Sequence, residues 1–241
     1  MRNFGMILAL GLMAAGCTTT ASTEEGHLAI SDPFENVNRF FFDLNQRLDR
    51  NAGRPAANAY RETVPGTVRG GLHNLLDNLG GPVTVANDLL QIRLESAGIA
   101  AGRFLVNTTI GVAGIFDVAT DWGMPARNRD FGETMGTYGV PPGPYLVLPF
   151  RGSTDVRDFA GNYIDGYATP LRYVRYDGRN YVGLMKSTLG SMDNRATNIV
   201  TLRDIERASV DYYATMRTLY MERRARLIED TPVRTAELPD F

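Results

Sequence analysis

The stretch Asp32-Pro33-Phe34-Glu35-Asn36-Val37-Asn38-Arg39-Phe40-Phe41-Phe42-Asp43-Leu44-Asn45-Gln46-Arg47-Leu48 sets the fold class. Asp as N-cap, Pro at the first helical position and Glu three residues after the cap make a strong helix start. Phe34, Val37, Phe41, Leu44 and Leu48 then recur at alternating spacings of three and four, and at about 100° per residue Phe40 joins them. The pattern predicts an amphipathic helix of about 18 residues that ends near Gly53, with its apolar stripe against the protein core. Phe42 lies off the stripe, among Asn38, Asn45, Gln46 and Asp49. A second apolar environment must cover it: another chain segment, a partner or lipid.

Helical patterns continue downstream. Val68, Leu72, Leu75, Leu76 and Leu79 form one stripe, closed by Gly80-Gly81-Pro82. Val85, Leu89 and Leu90 suggest a second, and Leu94, Ala97, Ala101, Phe104 and Leu105 a third. The glycine pairs Gly66/Gly70, Gly98/Gly102 and Gly132/Gly136 would allow close helix approach, although each pair alone is explained as well by chance among 25 glycines. Residues 109–143 are studded with glycine, and Pro141-Pro142-Gly143-Pro144 precedes Tyr145-Leu146-Val147-Leu148-Pro149-Phe150. Prolines exclude a long helix there. An extended or hairpin-like segment with exposed apolar side chains fits, as does a buried crossing strand. Helices are expected over 154–165, 180–194 and, longest of all, 202–228, where Ile205, Ala208, Tyr212, Met216, Leu219 and Leu227 share a face. Arg217, Arg223, Arg224 and Arg226 crowd the end of that last helix, where positive charge complements the helix dipole. Headgroup binding is the alternative reading of these arginines.

Upstream of Asp32 the chain reads as an address. Arg2, a short apolar stretch over residues 4–13 and Ala14-Ala15-Gly16-Cys17 have the form of an export signal. Cys17 is the only cysteine, so it has no intramolecular disulfide partner. A thiol directly after the small residues is what a bacterial lipoprotein pathway acylates; an ordinary secretory signal with an incidental Cys is the alternative. Several acyl chains on one residue hold a protein stably at a membrane. Thr18 leans towards the outer membrane. The organisation expected is a signal peptide over 1–16, an acylated flexible tether over 17–31, one helical domain over 32–230 and a disordered tail over 231–241.

The 241 residues carry a net charge of −2, which leaves no basic footprint for nucleic acid. Lys186 is the only lysine among 25 basic residues. Enzyme signatures are poor: there is no Gly-x-Ser-x-Gly elbow, no His-Glu-x-x-His, no Cys cluster and no P-loop. Of the two histidines, His27 lies in the tether, and His73 reads as a surface or helix-packing residue. Asp155 and Asp158, with arginines interleaved, read as a solvated helix face. No catalysis, cofactor or metal is expected. After Cys17 no stretch reaches the ~20 apolar residues of a spanning helix, and helices of 10–18 residues reach only about 15–27 Å. The body cannot cross a bilayer as ordinary helices, but it can sit in one leaflet with amphipathic helices lying flat. The fold class expected is all-α, with amphipathic helices and a long C-terminal helix.

The helix start at 32–49 resembles the MlaA/VacJ family of outer-membrane lipoproteins through Asp32-Pro33-Phe34-Glu35, Asn38-Arg39, Phe42 and Leu44-Asn45. The resemblance continues in Arg54-Pro55, Tyr60-Arg61, Asn87, Leu89-Leu90-Gln91, Arg103-Phe104, Asn107-Thr108-Thr109 and Asp117-Val118-Ala119. It is densest at Asp130-Phe131-Gly132-Glu133-Thr134-Met135-Gly136, Tyr138-Gly139-Val140 and Gly143-Pro144-Tyr145-Leu146-Val147-Leu148-Pro149, and closes with Arg157-Asp158 and Asp165. The family usually carries Gln, Leu and Gly where this chain has Glu133, Met135 and Pro141. The resemblance implies a ring-like helical body in the inner leaflet of the outer membrane. Through it, phospholipids strayed to the outer leaflet would pass to a soluble periplasmic carrier, which maintains lipid asymmetry. It also implies association with a trimeric porin. The residues expected to line or gate the lipid passage are Phe42, Gly139, Val140, Gly143, Pro144, Tyr145 and Leu146, and Cys17 is the expected lipidation site. A structural, porin- or envelope-associated lipoprotein without a lipid passage is the rival reading, and a phospholipase a third.

Overall fold

The computed structural model describes residues 32–169 and 179–229. Cys17, the signal, the tether and the 231–241 tail lie outside the described residues. Eleven helices and one hairpin make up the described body. The order is α1 (Glu35–Leu48), α2 (Arg54–Thr63), α3 (Gly66–Asn78), α4 (Gly81–Leu90), α5 (Leu94–Thr109), α6 (Val118–Asp121), α7 (Phe131–Thr137), β1 (Tyr145–Leu148), β2 (Gly152–Asp155), α8 (Val156–Ala168), α9 (Arg179–Thr197), α10 (Ile199–Ala208) and α11 (Tyr212–Ile228).

The first helix does not stop at Gly53. It runs through a π-helical turn, Asp49–Gly53, directly into α2. Gly53 keeps right-handed helical angles, and a Cβ there would come within 2.8 Å of the Asp49 carboxylate. The glycine makes room for Asp49, which accepts hydrogen bonds from Arg54 and Arg195. Asp32 is not the cap that the sequence suggested. Its carboxylate instead accepts from Asn38 at 2.8 Å, from Arg217 at 2.7 Å and from the Tyr213 hydroxyl, which ties the chain entry to α11.

The larger correction concerns which side of α1 is inside. Phe34, Val37 and Phe40 are 50%, 53% and 65% exposed, while Phe42 is 8% exposed in the main core cluster. The cause lies in two asparagines on the polar side. Asn38 donates to the Tyr145 carbonyl and accepts from the Val147 N–H, both at 2.9 Å. One stretch further along, Asn45 donates to the Leu148 carbonyl and accepts from the Phe150 N–H, both at 2.8 Å. A side-chain amide carries the same donor and acceptor as a peptide group, so the two asparagines stand in for a strand along the open edge of β1. That edge would otherwise bury unpaired backbone groups. Docking α1 this way turns Phe34, Val37 and Phe40 of the stripe outward, leaves Phe41 against the edge of the core, and packs Phe42 on Tyr212 and Tyr213, with ring centroids at 5.4 and 5.5 Å.

The segment after the prolines is a hairpin, β1 antiparallel to β2 with Tyr145 opposite Asp155. Tyr145 and Val147 are buried, and Leu146 and Leu148 half-buried, so alternation places one face of β1 in the core. The expected single helix over 202–228 is two: α10 ends at Ala208, and Asp211 caps α11 by accepting from the Ala214 N–H at 3.1 Å. Buried Tyr213, Met216 and Tyr220 of α11 complete the aromatic cluster with Phe42, Tyr145 and Val147.

Of the glycine pairs, only Gly132/Gly136 marks a close approach on both members. A Cβ on Gly132 would meet the Asp158 carboxylate, and one on Gly136 the Ile228 side chain, each at 2.5 Å. Gly161 of α8 lies against the Gly132 backbone, so α7 and α8 cross at bare backbone. Among the described residues no helix is long and apolar enough to cross a membrane.

Candidate functional site

Two adjoining cavities of about 270 and 200 Å³ open between α3, α4, α5 and the segment 124–128. Helix α5 is their common wall. At about 100° per residue, Leu94 and Leu105 lie on one side of it and Ala100, Arg103 and Asn107 on the opposite side. The first pair is strongly exposed; the second set borders the cavities. Phe104 packs against Gly81 of α4, where a Cβ would come within 3.0 Å of its ring.

Arg103 is fixed by the short helix α6. Its Nη2 donates to both oxygens of Asp117 at 3.0 and 3.1 Å, and its Nη1 donates to Thr120 Oγ1 at 2.9 Å and to the Met124 carbonyl. Asp117 also accepts from Asn107 at 2.8 Å and caps α6. Burial alone would raise the Asp117 pKa, but hydrogen bonds from Thr120, Asn107 and Arg103 hold it below the usual carboxylate range. At the far side His73 meets Asp193 of α9 through Nδ1 at 2.7 Å, with Asp77 3.5 Å from Nε2. The helix-packing reading of His73 fits that arrangement.

A second polar region lies deeper, where α7, α8 and α11 converge. Arg224 reaches Asp130 at 2.6 and 2.9 Å and Asp158 at 2.5 and 2.8 Å, with Glu133 at 3.4 Å. Arg129 donates to Glu133 at 3.3 Å and to the Leu227 carbonyl at 2.9 Å. Asp155, Arg157 and Asp158 are all buried, which corrects the solvated-face reading: α8 lays this side on α7 and α11. Burial, reinforced by the Asp130 charge, pushes Glu133 up to about 7. Burial and Asp158 push Asp155 up to about 6. The arginines of α11 therefore serve neither the helix dipole nor a surface alone, since Arg217, in the first half of the helix, pairs with Asp32 and Arg224, in the second, with this polar set.

The residues expected to line a passage separate into two groups. Phe42 and Tyr145 belong to the core: Tyr145 is fully buried, with its hydroxyl 2.7 Å from Ser153 Oγ. Both are covered because α1 docks on β1 by its polar side and closes over them. Gly139 and Val140 are exposed, and Gly143, Pro144 and Leu146 half-buried. The loop is held at its base by Arg157, whose Nη1 donates to the Val140 carbonyl and whose N–H donates to the Pro142 carbonyl, both at 3.2 Å. Gly139 and Gly143 have φ of +84° and +73°, conformations that favour glycine. None of these seven residues borders the cavities behind α5. Sequence reasoning missed the cavity residues Arg103, Asn107 and Asp117 as a site, although all three lie in motifs quoted above. The available signal was Arg103 itself, a charge on the side of the 94–105 pattern opposite Leu94 and Leu105.

The profile of the MlaA lipoprotein family matches residues 30–227. The chain is 34% identical to the intermembrane phospholipid transport system lipoprotein MlaA of Escherichia coli K12, over 97% of this chain and 92% of that protein. The Haemophilus influenzae protein of the same description is 31% identical, over 86% and 82%. An uncharacterised protein of Rickettsia felis is 40% identical over 64% of this chain; the match spans 62% of that relative's length. A solved structure described as "Structural basis for maintenance of bacterial outer membrane lipid asymmetry" superposes with a TM-score of 0.75 at 32% identity, covering 82% of this chain and 99% of that one. A helical body with amphipathic helices, a hairpin docked on the first of them and a match running from residue 30 to 227 place this chain in the MlaA lipoprotein family.

Proposed function

We propose that this protein is an outer-membrane lipoprotein that takes phospholipids misplaced in the outer leaflet and passes them to a periplasmic carrier. The observation that carries this is the reversed polarity of the described body. Among the described residues fifteen polar or charged residues are buried against twelve hydrophobic ones, while large apolar side chains crowd the surface. Leu89, Leu90, Ile92 and Leu94 form one exposed corner, and Ile110, Val112, Ile115 and Phe116 another. Ile92, Val112 and Phe150 even hold positive φ, with Ile92 75% and Phe150 86% exposed. A bulky apolar residue there costs of order 1–3 kcal/mol in backbone strain, and its exposure to water forgoes about 1.5–3 kcal/mol more. In lipid the second cost vanishes.

At about 24 Å, α5 falls short of a hydrocarbon core of ~30 Å and lies along one leaflet rather than crossing both. Helix α5 then works as a wall, with Leu94 and Leu105 towards acyl chains and the charged cleft on its other side. A lipid crossing such a ring-like body keeps its tails from water, each CH₂ being worth about 0.8 kcal/mol, while its head stays among polar groups. The loop over 139–144, together with Leu146, borders the passage in this reading. Cys17 carries the acyl anchor, and a trimeric porin holds the protein in place. No nucleotide site is needed, since the uphill work is done elsewhere. Deleting the gene and assaying outer-leaflet phospholipid tests the proposal: surface phospholipid should rise. An unchanged level, with no phospholipid on the purified protein, would favour a structural lipoprotein instead, and lysolipid products a phospholipase.

A further inference from the structure

The loop over 139–144 is poor in the groups by which a loop is tied down. Pro141, Pro142 and Pro144 carry no N–H. The N–H groups of Gly139 and Val140 bond back to the Gly136 and Met135 carbonyls of α7. What the loop offers to other elements is therefore carbonyl oxygen. Two of its carbonyls accept from one residue of α8: Arg157 donates to Val140 through Nη1 and to Pro142 through its main-chain N–H, both at 3.2 Å. The guanidinium that makes the first bond is itself fixed. The Arg157 side chain is 4% exposed, with Nε 3.2 Å from Asp158 and Nη2 3.7 Å from Asp155. It reaches the loop across Gly136, where a Cβ would come within 3.0 Å of Nη1. At the far end of the loop, a Cβ on Gly143 would lie 3.4 Å from the Val156 Cβ. A cation set by two carboxylates and passed over bare backbone has little freedom, so the loop takes its position from the polar interior.

We propose that Arg157 is a positioning residue for the lipid passage, holding the 139–144 loop by its carbonyls in the place that lets lipid through. The inference rests on the transport reading above, in which this loop borders the passage. Two variants test it by different routes. Arg157→Lys keeps the charge but presents one nitrogen in place of three, so it meets the carboxylates or the loop and not both. Arg157→Gln with Asp155→Asn removes the ion pair as a unit; Asn still caps α8, and Asp158 keeps Arg224. Hydrogen exchange of the full-length lipoprotein in detergent, read by mass spectrometry, follows the Gly139 and Val140 amides. Both variants should speed exchange there about tenfold, the factor that goes with one charge-assisted hydrogen bond. Exchange in α3, α4 and α5 and the melting temperature should stay at wild-type values, which a merely structural arginine would not allow. Expressed in place of the native gene, both should raise outer-leaflet phospholipid to the level of the deletion strain. Unchanged loop exchange, or a loosened loop with wild-type surface phospholipid, overturns the proposal. Melting of both variants well below wild type also overturns it, because Arg157 would then hold the fold rather than the loop. A deletion strain with ordinary surface phospholipid overturns the transport reading itself.

Discussion

Helices α1 and α11 meet at Phe42 and Tyr213 and bury different kinds of face. In α11 the apolar and aromatic side is inside: Tyr213, Met216 and Tyr220 are buried, and Tyr212 and Leu219 pack against them. In α1 most of the apolar stripe, Phe34, Val37, Phe40 and Leu48, is outside and the asparagine side inside. Periodicity shows that a helix divides two environments; it does not say which of them is protein. For a water-surrounded domain the apolar side goes to the core by default. Where lipid is the solvent, the hydrophobic driving force between helix and core weakens, and polar complementarity decides the orientation. Asn38 and Asn45 supply that complementarity on α1, whereas α11 is placed by arginines at its two ends, Arg217 to Asp32 and Arg224 to Asp130 and Asp158.

The arginine placement should break hardest. Arg224→Ala takes from buried Asp158 and half-buried Asp130 their shortest ion-pair partner, and loss of one partner from such a set costs about 3–5 kcal/mol. Chemical denaturation of the detergent-solubilised protein measures it; a cost under about 1 kcal/mol would show that α11 is held by its aromatics alone. Phe42→Ala should come next, at about 3 kcal/mol or more, as for a buried aromatic truncated to a cavity. Asn38→Leu should cost about 2 kcal/mol, because the Tyr145 carbonyl and Val147 N–H lose their buried partner. A smaller loss there than for an exposed asparagine such as Asn36 would refute the account of how α1 is oriented.

The buried set also gives the fold a pH dependence of known sign. Glu133 has its pKa raised in the folded state, from an ordinary 4.5 to about 7. Between those values the folded chain binds more protons than the unfolded one, so stability falls as pH rises. Asp155, raised to about 6, adds to the same trend at the lower end of the window. Glu133→Gln mimics the protonated acid. It should therefore flatten the slope between about pH 4.5 and 7 and stabilise the protein by about 1–2 kcal/mol at neutral pH. Denaturation series at pH 5 and pH 7 check both effects, and an unchanged slope would show that Glu133 is ionised in the fold.

Much of the architecture was readable from the residues. Helices α3, α4 and α5 follow their apolar repeats and glycine or proline boundaries, and the proline run marks where helix gives way to the hairpin. Two of the errors share one physical origin. The Asp155-x-x-Asp158 pattern reads as solvated, and the Phe34-x-x-Val37 stripe as buried, only if water is assumed outside and apolar packing inside. The end at Gly53 and the unbroken 202–228 helix failed for local reasons: a glycine that makes room for Asp49, and an Asp211 that caps a new helix. The cleft was the least readable feature, since Arg103, Arg127, Asp117 and Asp77 come together only through the packing of α3, α4 and α5. No spacing in the chain announces that meeting.

The smallest expected effect on stability is the sharpest test of the contrast between the two helices. Phe40 and Phe42 are two residues apart on α1, chemically identical, and 65% and 8% exposed. Phe40 touches Phe41 edge-on at 5.4 Å, so truncating it removes one surface contact and leaves no cavity. Phe40→Ala should then change the unfolding free energy by no more than about 0.5 kcal/mol, the range of surface substitutions. The lost side chain should show instead in membrane affinity. Burying a Phe in lipid is worth about 1.5–3 kcal/mol, so binding to phospholipid vesicles should weaken by roughly tenfold to a hundredfold. Phe42→Ala should show the converse, a large loss of stability with vesicle binding unchanged wherever the variant remains folded. If Phe40→Ala were neutral in both measurements, the exposed stripe of α1 would face water, and its outward turn would need a protein partner rather than a leaflet to cover it.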